Sequence, residues 1–478
     1  MKRTFFHWII FFIGFNTSIF GQQAKYVFYF IGDGMGLNQV NGTEIYLAAQ
    51  ENRIGITPLR FTRFPYVSFA TTYSASNDVT DSAASGTALA TGHKTKNGTI
   101  GMLADLKTPV TSIAVWAKEA GTRVGIASSV SLDHATPASF YAHVAKRSDY
   151  YTIGKQLFQA GFDFYAGSDF LKPNGKQGDI SLYKIGESAG YTFVRGYNEY
   201  LSKASNADKL ILLQSEEASH KDRTAIPYAI DREGGELTLT EITHAGIDFL
   251  SKDLSKGFFF MVEGGKIDWA CHANDGATVF EEIIDFDNAI QVAYEFYLKH
   301  PHETLIIVTA DHETGGLSLC IGKHNHRMKL LKQQKNSVNK FSQHLNNLRR
   351  TTGNNVTWEQ VNNELQEYFS FGDSIKLNDN QKERLHKCFE ESFLNQHIIT
   401  DESLYQKDER LASVAKEIIN EISQIKWSTG SHTSAYVPVF AIGVGANMFT
   451  GLTDNAEIPL KIAKVAEWMN NTNQSCKE

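Results

Sequence analysis

The stretch KYVFYFIGDGMG, residues 25–36, is an apolar run that stops abruptly at an aspartate between glycines. Two further stretches share this pattern, GFFFMVEGGKIDWACH at 257–272 and TLIIVTADHETGG at 304–316. Unbroken apolar runs without alternation indicate strands buried on both faces, as in parallel sheets covered by helices. These three stretches therefore predict buried strands that each end at polar residues.

Other segments extend this pattern along the chain. RVGIASSVS at 123–131 and YVPVFAIGVGA at 436–446 also predict buried strands, and helical spacing marks 111–120 and 276–299. Strands that alternate with helices in this order indicate a wound α/β sheet. Ligand sites in such sheets lie outside the carboxyl ends of the strands, where the acidic clusters of this chain fall.

Residues 322–427 differ in composition from the rest. A polar, Asn/Gln-rich stretch precedes three helical patterns, TWEQVNNELQEYF, RLHKCFEESF and LASVAKEIINEISQI. The first opens with a capping-box pair, Thr357 and Gln360. We predict that 322–427 is a helical insertion of unknown role in the α/β domain.

The first residues are typical of a secretory signal. Lys2 and Arg3 precede an apolar run from Phe5 to Phe15, which is too short to span a bilayer. We expect residues 1–21 to be a signal peptide cleaved near Gly21, and the protein to be exported to the periplasm or the cell exterior. No later segment is long and apolar enough to predict a membrane span.

Composition excludes some classes of protein. A net charge of −7 argues against a nucleic-acid binder, which usually carries a basic surplus. The four cysteines are scattered without CxxC spacing, which excludes a zinc finger but does not decide their pairing. They are Cys271, Cys320, Cys388 and Cys476.

Candidate metal ligands follow the predicted strands. Asp268 and His272 are four residues apart, so on a helix they share one face and could hold one ion. The other candidates are Asp33, Glu263, Asp311 and His312, which end or follow predicted strands, and His432, which lies just before the last predicted strand. Histidine and carboxylate ligands suit Zn²⁺, and oxygen-rich positions suit Mg²⁺.

The stretch TDSAASGTALATG, residues 80–92, offers two candidate nucleophiles, Ser82 and Ser85. Neither serine lies in a GxSxG elbow, so activation by a metal is a better account than a hydrolase triad. Two metals beside a helix N-terminus are suited to phosphoryl transfer, with Arg147 as a candidate for gripping the phosphate. Local sequence alone does not choose between the two serines.

Six motifs occur in the order found in the alkaline phosphatase family: YFIGDGMG, TDSAASGTALATG, ATPASFYAHVAKR, VEGGKIDWACH, TADHETGG and GSHTS. The chain resembles that family over roughly residues 25–320 and 428–465. The resemblance implies a three-layer α/β/α sandwich around a large, mostly parallel sheet. It places the catalytic domain at 22–321 and 428–478, and it implies a homodimer that hydrolyses small phosphate monoesters.

The resemblance also implies roles for individual residues. Ser82 is the nucleophile that becomes phosphoserine, Arg147 grips the phosphate, and Asp81 orients that arginine. The resemblance implies two zinc ions and a third ion, normally Mg²⁺. Their ligands are Asp268, His272 and His432 for the first zinc; Asp311, His312, Asp33 and Ser82 for the second; and Asp33, Thr136 and Glu263 for the third.

Two positions depart from the enterobacterial type of that family. His134 and Trp269 stand where that type has aspartate and lysine. The exchange removes a carboxylate from around the third ion and a cation from beside the phosphate. Other members of the family have histidine at the first position, and some bacterial members have tryptophan at the second.

The sequence fits three other functions less well than it fits a phosphomonoesterase. A sulfatase needs a C/S-x-P-x-R stretch, which this sequence lacks. A phosphodiesterase of the same superfamily usually carries a threonine nucleophile. An inactive, metal-stabilised phosphate-binding protein would have lost a nucleophile or a ligand, whereas every motif position is filled here.

Overall fold

The computed structural model describes residues 23–320, 322, 326–353, 355–394 and 399–469. The predicted signal peptide and Cys476 lie outside these residues. Cys271 and Cys388 are buried and form no disulfide within the described part of the chain. In that part, no helix has the combined length and apolarity that crossing a bilayer requires.

Sixteen strands are described. They are β1 Tyr26–Gly32, β2 Tyr66–Thr71, β3 Arg123–Ser128, β4 Phe164–Gly167, β5 Tyr191–Arg195, β6 Lys209–Leu213, β7 Phe258–Gly264, β8 Thr304–Thr309, β9 Glu313–Thr314, β10 Leu317–Leu319, β11 Thr400–Glu402, β12 Lys407–Glu409, β13 Ile425–Trp427, β14 His432–Thr433, β15 Val437–Gly443 and β16 Gly451–Asp454.

Sixteen α-helices accompany them. They are α1 Leu37–Gln50, α2 Ser82–Thr91, α3 Ile113–Glu119, α4 Ala135–Ala138, α5 Tyr150–Ala160, α6 Leu182–Ser188, α7 Tyr197–Lys203, α8 Glu216–Lys221, α9 Leu239–Leu250, α10 Lys266–His272, α11 Gly276–Lys299, α12 Val338–Thr351, α13 Trp358–Phe369, α14 Asp379–Phe389, α15 Arg410–Ser423 and α16 Glu457–Val465. A π-helical turn, Glu390–Leu394, extends α14.

Ten strands form one sheet in the order β16-β2-β15-β8-β1-β7-β3-β4-β6-β5. Among these strands only β15 runs antiparallel, to β8 on one side and β2 on the other. Helices cover both faces, which confirms the predicted α/β fold with a large, mostly parallel sheet. The central strands β1, β7 and β8 are buried along their whole length, as their unbroken apolar sequences predict.

The central strands end in register. Ile31 of β1 pairs with Glu263 of β7 on one side and with Thr309 of β8 on the other. Asp33 and Asp311 follow one and two residues beyond these ends. Three carboxylates from distant parts of the chain therefore meet at one edge of the sheet.

The segment predicted as an insertion contains α12 to α15 and the hairpin of β11 and β12. At its base, β13 pairs antiparallel with β10, so the chain leaves and rejoins the α/β domain at one place. The three predicted helices are present as α13, α14 and α15, and the Thr357–Gln360 capping box is formed. The polar stretch before them also forms a helix, α12, which composition did not predict.

Candidate active site

Helix α2 presents Ser82 at its first turn. Asp81 is the N-cap, and its carboxylate accepts a hydrogen bond of 3.0 Å from the Ala84 N–H. Ser82 Oγ lies 3.3 Å from His312 Nε2 and is fully buried. The first N–H groups of a helix have no partner within the helix, and its dipole attracts anions there. The serine therefore stands where an anion would be stabilised.

Ser85 has a different position, one turn further along α2. Its hydroxyl donates to the Asp311 carbonyl at 2.5 Å and accepts from Asn455 Nδ2 at 2.9 Å. These bonds connect α2 to the end of β8. The Ser85 hydroxyl is therefore used in a structural tie between helix and strand.

Asp268, His272 and His432 form the first group of possible metal ligands. The Nε2 atoms of the two histidines are 3.1 Å apart, and Asp268 Oδ2 lies 3.3 Å from His272 Nε2. Each Nδ1 is held by a backbone carbonyl: Gly430 at 2.7 Å from His272, and Thr80 at 2.9 Å from His432. Such outer bonds fix the ring orientation of metal-binding histidines.

Asp33, Asp311 and His312 form the second group, and all three are fully buried. His312 Nε2 lies 3.2 Å from Asp311 Oδ2 and 3.5 Å from Asp33 Oδ1. Thr314, which sequence reasoning did not single out, donates to Asp268 Oδ1 at 2.5 Å and lies 3.2 Å from His312 Nδ1. Its hydroxyl therefore links the first two groups.

Asp33, His134 and Glu263 form the third group. Ser128 donates a hydrogen bond to Glu263 Oε2. The Thr136 hydroxyl is buried beside Glu263. The structure therefore gathers the predicted ligands of the third ion and adds His134 to them.

In the absence of cations, burial makes the negative charge of most of these carboxylates unfavourable. Burial, followed by repulsion from neighbouring acids, raises the pKa of Asp33 well above its ordinary value and that of Asp311 to about 8. Burial raises the pKa of Glu263 to about 7, although hydrogen bonds oppose it. Burial also opposes ionisation of Asp268, but the nearby histidines hold its pKa below the usual range.

The donor set fits divalent cations. Within the described residues, several fully buried ligand atoms have no hydrogen-bond partner: both carboxylate oxygens of Asp33 and one each of Glu263, Asp268 and Asp311. Buried polar atoms are normally paired, so this concentration needs an explanation. Cations bound among these oxygens and imidazoles would supply it.

The possible phosphate contacts lie beside these groups. Arg147 Nη1 is 3.1 Å from Asp81 Oδ2, and Nη2 is 3.3 Å from His134 Nε2. The His134 ring meets the Trp269 ring edge-on, with centroids 6.1 Å apart. All thirteen residues selected from the sequence are therefore gathered at one edge of the sheet.

A mostly parallel α/β sheet with a buried serine, an arginine and three groups of candidate metal ligands at one edge is the arrangement expected of a metal-dependent hydrolase. The family model for alkaline phosphatase matches residues 24–160 and 154–468. The chain therefore belongs to the alkaline phosphatase family of enzymes.

Relatives of known activity match over most of the chain. Alkaline phosphatase 3 of Bacillus subtilis is 30% identical over 454 residues, covering 94% of this chain and 90% of the relative. The cold-active alkaline phosphatase of Shewanella sp. has a TM-score of 0.76 at 30% identity, covering 92% of this chain and 99% of that structure. The Thermus thermophilus alkaline phosphatase has a TM-score of 0.74 at 26% identity, with coverage of 94% and 93%.

Sequence reasoning missed Tyr405, which lies in the turn between β11 and β12. Its ring stacks on Trp269, with centroids 4.6 Å apart and planes 15° apart. It also contacts the rings of His134 and His272. No local pattern marks this residue, because it reaches the site only through the fold of the inserted segment.

Proposed function

We propose that this protein hydrolyses phosphate monoesters through a covalent phosphoserine on Ser82. The observation that carries the proposal is the position of the Ser82 hydroxyl, at a helix N-terminus and 3.3 Å from His312 of the second ligand group. Arg147 lies on the other side of Asp81, within reach of an anion bound at the same helix end. Nucleophile, ligand groups and guanidinium thus converge on one point.

The chain's own residues account for binding and orientation. The Arg147 guanidinium can donate two parallel hydrogen bonds to non-bridging phosphate oxygens, as guanidinium groups do with phosphates. Asp81 holds Arg147 from one side, and His134 contacts it from the other. The free N–H groups at the start of α2 add donors toward the same anion.

The reaction proceeds in two displacements. Ser82 Oγ forms a bond to phosphorus as the bond to the ester oxygen breaks, and the serine proton leaves to solvent. The departing alcohol takes a proton from water. A water molecule then attacks the phosphoserine, which releases inorganic phosphate and restores the Ser82 hydroxyl.

We propose two zinc ions at the first two groups and a magnesium ion at the third. When bound, such ions lower the pKa of attacking oxygens and offset negative charge on the transferred group. Histidines with a carboxylate suit zinc, and Asp33 with Glu263 and Thr136 offers the oxygens that magnesium prefers. A mutant of the alkaline phosphatase of the Antarctic bacterium TAB5 in which glutamate replaces a histidine, 27% identical to this chain, has been solved with Mg bound.

An assay of two substrates tests this function. Purified protein would receive p-nitrophenyl phosphate and bis-p-nitrophenyl phosphate, each with and without a chelator, followed by Zn²⁺ and Mg²⁺ added separately. We expect monoester hydrolysis that chelation abolishes and metal addition restores. Dominant diester hydrolysis would indicate a phosphodiesterase, and phosphate binding without turnover would indicate an inactive binding protein.

Export and dimerisation are also proposed. The charged and apolar order of residues 2–15 supports a cleaved signal, which N-terminal sequencing of the secreted protein would test. The homodimer is supported by the exposed edge of the sheet, where Phe69 pairs with Leu452 and their side chains are 41% and 61% exposed. Light scattering would show twice the chain mass if the proposal is correct.

A further inference from the structure

Tyr405 is the one aromatic side chain that the predicted insertion brings against the active-site rings in the described part of the chain. Its hydroxyl is buried, and no group among the described residues accepts a hydrogen bond from it. The same is true of the Trp269 indole N–H, on the ring against which Tyr405 stacks. The stacked rings of Tyr405 and Trp269 therefore carry two buried donor groups that donate no hydrogen bond to a described residue.

Arg147 cannot accept a hydrogen bond from the Tyr405 O–H. The guanidinium is near enough to oppose the rise that burial causes in the pKa of the Tyr405 hydroxyl. A guanidinium, however, carries only donors. The tyrosine oxygen can accept from Arg147, but its own O–H must find an acceptor elsewhere. The anion that Arg147 would grip supplies such an acceptor.

Tyr405 also lies between two functional groups. Its ring centroid is 5.5 Å from that of His272, in the first ligand group, and 5.9 Å from that of His134, which contacts Arg147. The charged groups that act most strongly on its hydroxyl are Arg147 and then Asp268, so the hydroxyl lies near both the guanidinium and the first ligand group. The space between these two is where a phosphate held by Arg147 would meet the ligand groups.

The hairpin that carries Tyr405 is anchored on both sides. The Ser403 N–H donates to the Gln406 carbonyl at 2.9 Å and closes the turn. At the end of β12, buried Glu409 accepts a hydrogen bond of 2.7 Å from Arg349 of α12. A side chain on such a support is preorganised, so little entropy is lost when it binds a ligand.

Helix α15, which follows the hairpin, is tied to the metal-binding helix. Lys416 Nζ donates to the Ala273 carbonyl at 2.6 Å, and Asn420 Nδ2 donates to the Asn274 carbonyl at 2.8 Å. Both carbonyls lie just after α10, the helix of Asp268 and His272. These bonds fix the inserted segment relative to the ligands.

We propose that Tyr405 is a phosphate-binding residue that the inserted segment supplies, its O–H donating to a phosphate oxygen held by Arg147. This inference rests on the proposed function for the identity of the anion. It gives the inserted segment a direct part in the active site.

The variant Tyr405→Phe tests the hydroxyl alone, because the ring and its stacking remain. The metal-loaded full chain would be titrated with inorganic phosphate in a calorimeter, which needs no turnover. We expect Tyr405→Phe to weaken binding about tenfold, as expected for the loss of one hydrogen bond to a charged group. Tyr405→Leu, which also loses the stacking, should weaken binding at least as much.

Tyr368→Phe is the matched control, since Tyr368 lies in α13 and contacts Phe341 and His344 instead of the site. It should bind phosphate as the unaltered protein does. Bound metal and melting temperature, measured for each variant, exclude a purely structural effect of Tyr405. Binding by Tyr405→Phe within twofold of the unaltered protein would overturn the proposal, as would an unaltered protein that binds no phosphate.

These experiments distinguish failure of the proposed function from failure of the role proposed for Tyr405. If the unaltered protein binds phosphate but hydrolyses no monoester, the phosphomonoesterase proposal is wrong, while the comparison with Tyr405→Phe still tests the hydrogen bond. If monoester hydrolysis is normal and Tyr405→Phe changes neither phosphate binding nor kcat/KM, only the role of Tyr405 is wrong.

Discussion

The Arg147 guanidinium lies 3.1 Å from the carboxylate of Asp81, the residue that caps the helix beginning at Ser82. The same carboxylate accepts a hydrogen bond of 3.0 Å from the Gly98 N–H. One side chain therefore sets the start of α2, the direction of the arginine and the position of a neighbouring loop. The proposed nucleophile and the proposed phosphate clamp share a single support.

Replacing Asp81 with alanine should damage both functions of this support. Loss of the cap should lower the free energy of unfolding by about 1 kcal/mol. Release of Arg147 should raise KM for p-nitrophenyl phosphate about tenfold, as expected for a lost charge-assisted hydrogen bond. Asp78→Ala, at an exposed position three residues earlier, controls for the change in charge. A lower melting temperature with unchanged KM would contradict the role in orienting Arg147.

Ser82→Ala and Ser85→Ala should separate chemistry from structure. Acid-quenched protein incubated with isotope-labelled phosphate should carry a covalent label in Ser85→Ala but none in Ser82→Ala. Ser85→Ala should instead lose about 1–3 kcal/mol of stability, because the Asp311 carbonyl and the Asn455 amide lose a buried partner. Label that persists in Ser82→Ala and vanishes in Ser85→Ala would reverse the assignment.

Gly34→Ala should lower metal binding. Gly34 has a φ of +72°, and an added Cβ would lie 2.8 Å from Asp268 Oδ1 and 2.9 Å from the Asp268 backbone. The substitution should therefore strain the backbone at residue 34 and displace Asp268, a proposed metal ligand. Gly121→Ala is the matched control, since its φ is +84° but nothing lies within 4 Å.

Both glycine variants should lose about 1–2 kcal/mol of stability from the left-handed backbone conformation. Only Gly34→Ala should lose bound zinc, measured by elemental analysis after dialysis. Equal metal content in the two variants would show that Asp268 tolerates the displacement.

Chelation should make stability depend on pH. Without cations, burial raises the pKa of Glu263 from 4.5 to about 7 and that of Asp311 from 3.8 to about 8. A carboxyl pKa that folding raises contributes stability below the unfolded value, and this contribution is lost as pH rises through the folded value. A shift as large as that of Glu263 corresponds to roughly 3 kcal/mol.

The melting temperature of the chelated protein should therefore fall as pH rises from about 5 to about 9. The metal-loaded protein should have a flatter profile in that range, because bound cations offset the carboxylate charge. Glu263→Gln should reduce the slope of the chelated protein. Identical profiles with and without metal would contradict this account of the site.

Much of the fold follows from short-range patterns. The buried strands β1, β7 and β8 were predicted because their sequences are apolar without alternation, and α11 because its apolar residues recur at three and four. Helix α12 was missed because polar residues dominate its composition. Its buried side chains, Val338, Phe341 and Leu345, nevertheless recur at helical spacing behind a Ser337 cap.

The site was predictable where each residue follows a strand of the central sheet. Asp33, Glu263 and Asp311 lie at the ends of three neighbouring strands, so their convergence follows from parallel pairing. Tyr405 was not predictable in this way, since its hairpin reaches the site only through tertiary packing. The role of Thr314 depends on the direction of one hydroxyl, which no local pattern specifies.

The position of β15 has a consequence for biosynthesis. This strand lies near the end of the chain, yet it fills the gap between β8 and β2, and His432 arrives just before it. Strands β2 and β16 have no other link to the sheet in the described part of the chain. A nascent chain therefore cannot attach β2 and β16 to the sheet, or bring His432 to the other candidate ligands, before β15 has been synthesised. The central sheet is thus completed only after the inserted segment that precedes β15 has been synthesised.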